Sequence, residues 1–282
     1  MIHKYTFVKY SFIYILSLHS FLTWSQEQKV KLPKELKESS ALIVYQNTFL
    51  TINDSGNEPK IYQFNRRGEI IHTAYLTNAK NIDWEAMAFD GKEYLFIGDI
   101  GNNSNKRKDL CIYKVPITKI LEEDTVFAEK IEFSYPEQIN FPPEKSSLYY
   151  DAEGMIIKDG NLLIFTKNRT IPFDGIVKIY EIPTNSEVSY ARLIGEIQLP
   201  ASNWKIDSVT DASIHEEEIF LLTYTKIYTL QSIDNHWQIK KVIEHSEWTQ
   251  KEGMYVDNEN FYLTDENSLG IFKGNFLYIQ KR

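Results

Sequence analysis

Five short segments of the chain share one pattern: an acid, then small residues, then an apolar residue that opens a strand-like run. They are Glu38-Ser39-Ser40-Ala41-Leu42, Glu85-Ala86-Met87-Ala88, Glu153-Gly154-Met155-Ile156, Asp211-Ala212-Ser213-Ile214 and Glu252-Gly253-Met254-Tyr255. The acids are separated by 47, 68, 58 and 41 residues. A supersecondary unit recurring about every 40–50 residues is the signature of a β-propeller. An acid at one place in every unit would converge on the propeller axis. The pattern therefore predicts a fold and a site together, but no reaction.

Between these segments, apolar runs alternate with Gly, Asn, Asp and Pro clusters, as in a chain of short antiparallel strands. Tyr (18) and Phe (16) are abundant and favour strands. Ile117 to Glu123 is the best short helix. The chain divides into five four-stranded blades, a single all-β propeller over residues 26–282. Blade one takes Ser40–Tyr45, Thr48–Ile52, Lys60–Phe64 and Glu69–Leu76. Blade two takes Ala86–Phe89, Tyr94–Gly98, Leu110–Val115 and Phe127–Ser134. Blade three takes Met155–Lys158, Leu162–Thr166, Val177–Ile182 and Ala191–Leu199. Blade four takes Ala212–His215, Ile219–Tyr224, Lys226–Leu230 and Gln238–His245. Blade five takes Met254–Val256, Phe261–Thr264, Gly270–Phe272 and a last strand, for which Phe276–Gln280 and the N-terminal Lys29–Leu32 compete. A closed ring that uses the N-terminal segment is favoured, because closure leaves few exposed edges. The alternative is six blades, with one hidden in the 68-residue step.

Residues 1–25 differ from the rest. They carry Lys4 and Lys9, no acids, and an apolar stretch from Tyr10 to Leu22 that ends near the small Ser25. This is the outline of a secretory signal peptide. The apolar part is shorter than the roughly 20 residues a bilayer span needs. No stable membrane span is expected after cleavage, and no cysteine lies near the cut to carry a lipid. The expected location is periplasmic or extracellular. Loss of the leader takes the formal charge from −8 to about −10. A chain this acidic repels phosphate backbones, so no nucleic-acid partner is expected. The single Cys111 cannot form an internal disulfide.

Acidic clusters suit hard cations. The ends of the second strands read Asn53-Asp54-Ser55-Gly56-Asn57, Gly98-Asp99-Ile100-Gly101-Asn102-Asn103, Thr166-Lys167-Asn168-Arg169, Tyr224-Thr225-Lys226 and Thr264-Asp265-Glu266-Asn267. An antiparallel second strand finishes beside the start of the first, so these loops should share a face with the repeated acids. Glu38, Asp54, Glu85, Asp99, Glu252 and Asp265 are the candidate ligands for Ca²⁺. Turn chemistry alone also produces such clusters. Lys167 and Arg169 could hold an anionic group, Trp84 could wall the pocket, and Asp211 could meet a ligand. Because blades three and four place Lys167 and Thr225 at the loop position, the acidic side should run through blades five, one and two. No zinc motif, nucleophile elbow, P-loop or dinucleotide fingerprint is present. His215, four residues past Asp211, is more simply a structural histidine.

The strings Glu38-Ser-Ser-Ala-Leu42, Asn53-Asp-Ser-Gly-Asn57, Asp83-Trp-Glu-Ala-Met87 and Gly98-Asp-Ile-Gly-Asn-Asn103 resemble the SdiA-regulated family of bacterial envelope propellers. They are also similar to propellers labelled "esterase-like activity of phytase". The resemblance is strongest from Leu36 to Val115 and continues through Asp151-Ala-Glu-Gly-Met155 and Lys251-Glu-Gly-Met254. It implies a secreted or periplasmic propeller with calcium near the axis. A small molecule or cell-envelope component is the expected partner. Two readings follow. One is a calcium-associated binding or scaffold module. The other is a metal-assisted hydrolase of an ester, lactone or phosphate ester. There Glu85 or Glu153 would act as general base and Asn102 and Asn168 could help hold the metal.

Overall fold

The computed structural model describes residues 28–233, 236–245, 247–267 and 274–282. The expected leader at 1–25 lies outside them. Five antiparallel sheets stand around one axis. From the inside outwards, blade one is Ser39–Tyr45, Thr48–Asn53, Lys60–Phe64 and Ile70–Leu76. Blade two is Trp84–Phe89, Tyr94–Asp99, Cys111–Pro116 and Glu129–Ser134. Blade three is Asp151–Lys158, Asn161–Lys167, Ile176–Pro183 and Arg192–Gln198, and blade four is Val209–His215, Glu218–Thr223, Lys226–Ile233 and His236–Glu244. Blade five is Gln250–Val256, Asn260–Glu266, Phe276–Lys281 and, outermost, the N-terminal Gln28–Lys31. The two chain ends are thus stitched into one sheet, and each inner strand touches the next all the way round.

Blade five departs from the sequence-based division. Its third strand is Phe276–Lys281, whereas the predicted Gly270–Phe272 lies among residues that are not described. Asp265 sets the register of the real strand: its carboxylate accepts from the Phe276 amide (2.7 Å) and the Tyr278 hydroxyl (2.6 Å). The 68-residue step holds no sixth blade. It contains the helix Ile117–Glu122, the two-residue strand Thr125–Val126 and a long connection with a short 3₁₀ turn at Lys145–Ser147. Thr125–Val126 pairs in parallel with the outer edge of blade one, and Val188–Tyr190 does the same for blade two. Each short strand covers an edge that would otherwise be open to intermolecular pairing.

The core is five slabs of side chains, one between each pair of neighbouring blades. A blade's middle strands therefore bury both faces. That is why Asn161–Lys167 reads as an almost unbroken buried run rather than an alternation. Trp84 belongs to this packing: it is fully buried against Tyr113 (ring centroids 5.8 Å apart), and its Nε1 donates to the Lys80 carbonyl (3.1 Å). It does not wall the axial pocket.

Candidate functional site

Every inner strand carries a β-bulge near its start, and the bulge is the true register mark of the repeat. The extra residue is Ser40, Glu85, Glu153, Thr210 and Glu252 in blades one to five. A bulge re-aims one side chain out of the ladder, and here it turns Glu85, Glu153 and Glu252 into the axial cavity. Three of the five predicted ring acids occupy it. In blades one and four a hydroxyl stands there instead: Ser40 donates to the Trp84 carbonyl (2.8 Å) and Thr210 to the Lys251 carbonyl (2.7 Å). Glu38 lies two residues before the bulge, where it accepts from Asn57 Nδ2 (2.5 Å) and pairs with Lys37 (2.9 Å). Asp211 lies one residue after. Its oxygens accept from the Met254 amide of the next blade (2.6 Å) and the Ala212 amide (2.7 Å), a seam between blades.

The same shift runs through the second strands. The residues opposite the one before each bulge are Asn53, Asp99, Thr166, Thr223 and Asp265, and they are buried. Asp99 pairs with Arg107 (2.7 Å) and accepts from the Asp83 amide (3.0 Å), and Asp265 pins the third strand as described. The residue after each of these faces the cavity in four blades: Asp54, Lys167, Tyr224 and Glu266. Asn102 and Asn168 are likewise held in loop structure. Asn102 Nδ2 donates to the Tyr150 carbonyl (3.0 Å) and Asn168 Nδ2 to the Ile176 carbonyl (2.8 Å). His215 bonds Asn258 (2.8 Å) at a partly exposed hairpin.

These residues surround a cavity of about 610 Å³ on the face where the inner strands begin. Five carboxylates line it: Asp54, Glu85, Glu153, Glu252 and Glu266. Three cations line it too, Lys167, Arg169 and Lys205. The first two are matched within the wall. Lys167 Nζ lies 2.7 Å from Glu153 Oε1, with both side chains buried. Burial works against the Lys167 ammonium, but Glu153 outweighs it and holds the group well above the ordinary lysine range. Arg169 Nε reaches Asp151 Oδ2 (2.7 Å), and its Nη2 lies 3.5 Å from Glu153 Oε1 and also donates to Asn103.

The opposite wall has no such match. Ligand atoms of Asp54, Asp83 and Glu85 lie within 4.8 Å of one another. Glu85 is 4% exposed, lines the cavity, and makes no hydrogen bond or ion pair among the described residues. Burial, and then the charges of Glu153, Asp54 and Asp83, push its carboxyl well up. Burial first, with neighbouring acids behind it, raises Asp54 to about 6 and Asp83 to about 7. Gly101 passes so close that a Cβ there would lie 2.5 Å from Asp83 Cγ and 2.7 Å from Glu85 Oε1. On blade five, burial and the Glu266 charge raise Glu252 to about 8. Gln250 Nε2 bridges these two acids, 2.9 Å from Glu252 Oε1, and the Tyr224 hydroxyl also bonds Glu252 (3.2 Å).

Trp204, Trp248 and Tyr224 supply the aromatic lining. Trp204 opens a short helix (Trp204–Asp207) capped by the Asn203 side chain, which accepts from the Lys205 amide (3.0 Å). Asp83 stands out in the sequence only as the acid before Trp84-Glu85, and Tyr224, Trp204, Gln250 and Glu266 do not stand out at all. Counting from the bulge would have found Asp83, Gln250, Tyr224 and Glu266. Trp204 sits in a connection outside the repeat, where no such count applies.

No family model matches the chain, and neither does any curated protein. Among solved structures, a glutaminyl cyclase from Myxococcus xanthus is 11% identical, with a TM-score of 0.53 over 90% of this chain and 95% of that one. A PQQ-bound aldose sugar dehydrogenase from Streptomyces coelicolor is 9% identical, with a TM-score of 0.49 over 92% of this chain and 99% of that one. The likeness to the cyclase is one of fold. The chain is thus a five-bladed β-propeller with a carboxylate-rich axial cavity. No described helix is long and apolar enough to cross a membrane.

Proposed function

We propose that the chain is a periplasmic or extracellular binding propeller that holds Ca²⁺ at Asp54, Asp83 and Glu85 and receives a small molecule or cell-envelope component in its axial cavity. One observation carries this reading. Glu85 is a buried carboxylate aimed into the cavity without a partner, beside two more acids. Clustered carboxylates cannot all ionise unless a cation joins them. An all-oxygen donor set without His or Cys suits a hard cation. The space left by Gly101 is a cradle that a side chain would fill. When bound, such an ion supplies positive charge and open positions for ligand oxygens. The leader-like residues 1–25 and the resemblance to envelope propellers support the location.

A hydrolytic role is the second reading, with Glu85 as general base beside the ion. A phosphate ester is its least favoured substrate, because Lys167 and Arg169 already serve Glu153 and Asp151. Calorimetric titration of the 26–282 protein with Ca²⁺ tests the metal. Binding in the range of extracellular sites, roughly 10⁻⁴–10⁻³ M, is expected for the native chain and should be lost in Glu85→Gln. No heat and no change in melting temperature at about 10 mM Ca²⁺ would sink it.

A further inference from the structure

The ligand class can be narrowed from what the cavity wall leaves unsatisfied, and this step rests on the metal reading above. Carboxylates are acceptors only when ionised. The side-chain donors deep in the cavity are committed within the wall: Lys167 to Glu153 and Tyr224, Arg169 to Asp151, and Gln250 to Glu252 and Glu266. A ligand held beside the cation-bound carboxylates of Asp54, Asp83 and Glu85 must therefore bring its own donors. An anionic ligand would face five lining carboxylates. A cationic one would meet a lining whose five carboxylates are already balanced, in formal charge, by Lys167, Arg169, Lys205 and the bound ion, with Arg169 and Lys205 each 5.7 Å from the Trp204 ring. A neutral, hydroxyl-rich molecule meets neither obstacle.

The rim agrees with this chemistry. Trp204 and Trp248 line the same cavity and are 43% and 60% exposed. Partly exposed amphipathic rings offer apolar surface beside hydrogen-bonding groups. A pyranose has such a surface in its C–H face and a ring of hydroxyls around it. The volume of about 610 Å³ lies within the usual range for small-molecule sites. We infer that the axial cavity binds a neutral saccharide. A vicinal diol would face the Asp54–Asp83–Glu85 cation, other hydroxyls would hydrogen-bond Glu252 and Glu266, and the C–H face would stack on Trp248.

The test is tryptophan fluorescence of the 26–282 protein in saturating Ca²⁺, titrated with glucose, galactose, mannose, maltose and lactose. Spermidine and glucuronate serve as the charged controls. At least one neutral sugar should change the emission saturably. Its affinity should fall more than about tenfold in Trp248→Ala and in chelator, with the melting temperature of the variant unchanged. No response to any sugar up to about 100 mM, in protein whose Ca²⁺ titration is intact, overturns the saccharide and leaves the metal standing. Saturable binding of spermidine or glucuronate in preference to the sugars overturns it as well. Sugar binding that persists unchanged in chelator overturns the metal's part while keeping the saccharide.

Discussion

The blade-three wall and the wall formed by blades one and two use the same kinds of side chain to opposite ends. Blade three buries Asp151 and Glu153 but places Lys167 and Arg169 within 2.7 Å of them. Blades one and two gather Asp54, Asp83 and Glu85 without a matching cation at the cluster. Charge met inside the protein is structural. Charge left over is an invitation to something outside it. The comparison teaches that carboxylate count is a poor guide to a site, and that compensation is the better one.

The largest effect expected from breaking this contrast is on stability. Lys167→Met leaves Glu153 in the interior with only the 3.5 Å Arg169 contact and should cost about 3 kcal/mol, read as a lower urea midpoint. Glu85→Gln removes an unpartnered buried carboxyl and should leave the metal-free protein as stable or more so. Equal losses in the two variants would erase the distinction between the walls. The same Glu85→Gln change should weaken Ca²⁺ binding by more than about tenfold.

The pH dependence comes next in size. The folded pKa values of Asp54 (about 6), Asp83 (about 7) and Glu252 (about 8) are raised above those of an unfolded chain. Between about pH 4 and pH 8 the folded state therefore holds more protons on these groups than the unfolded state does. Their contribution to stability is fully present below the unfolded carboxylate range and is lost as pH rises through the folded values. Metal-free protein should lose melting temperature on that account from about pH 5 to pH 8, and Ca²⁺ affinity should rise across the same window. Affinity that is flat from pH 5 to pH 8 would remove the carboxylate cluster as the binding site.

Gly101→Ala sharpens the geometry, since its Cβ would press on Asp83 and Glu85. We expect weaker Ca²⁺ binding with a smaller change in stability, measured by the same titration and melt. The smallest effect belongs to Glu38→Gln. Its carboxylate sits outside the cavity on a partly exposed pair with Lys37, so Ca²⁺ affinity should stay within about twofold and stability within about 0.5 kcal/mol. A large loss of Ca²⁺ there would return Glu38 to the ring.

Much of this is legible in the sequence. Four of the five blades follow the strand divisions read from apolar runs, and the N-terminal strand closes the ring. The loops after the second strands do share the face of the repeated acids. Alignment within the motif was harder. Acid-small-apolar strings put Glu38 and Asp211 in the ring, but the bulge puts Ser40 and Thr210 there. A bulge adds one residue to a strand without marking its composition, so letters alone slip by one or two places. Asp99 and Asp265 slipped for the same reason, leaving Glu266 unnoticed.

Five blades and an acidic face are local properties: they arise from short runs and turns that each strand carries in its own letters. Compensation is not local. Whether Glu153 or Glu85 finds a partner depends on cations that arrive from a neighbouring strand, and on which side of a bulge a side chain emerges. The repeated acid was visible in the chain as a rhythm. Its division into matched and unmatched carboxylates arises only when the five inner strands meet around one axis.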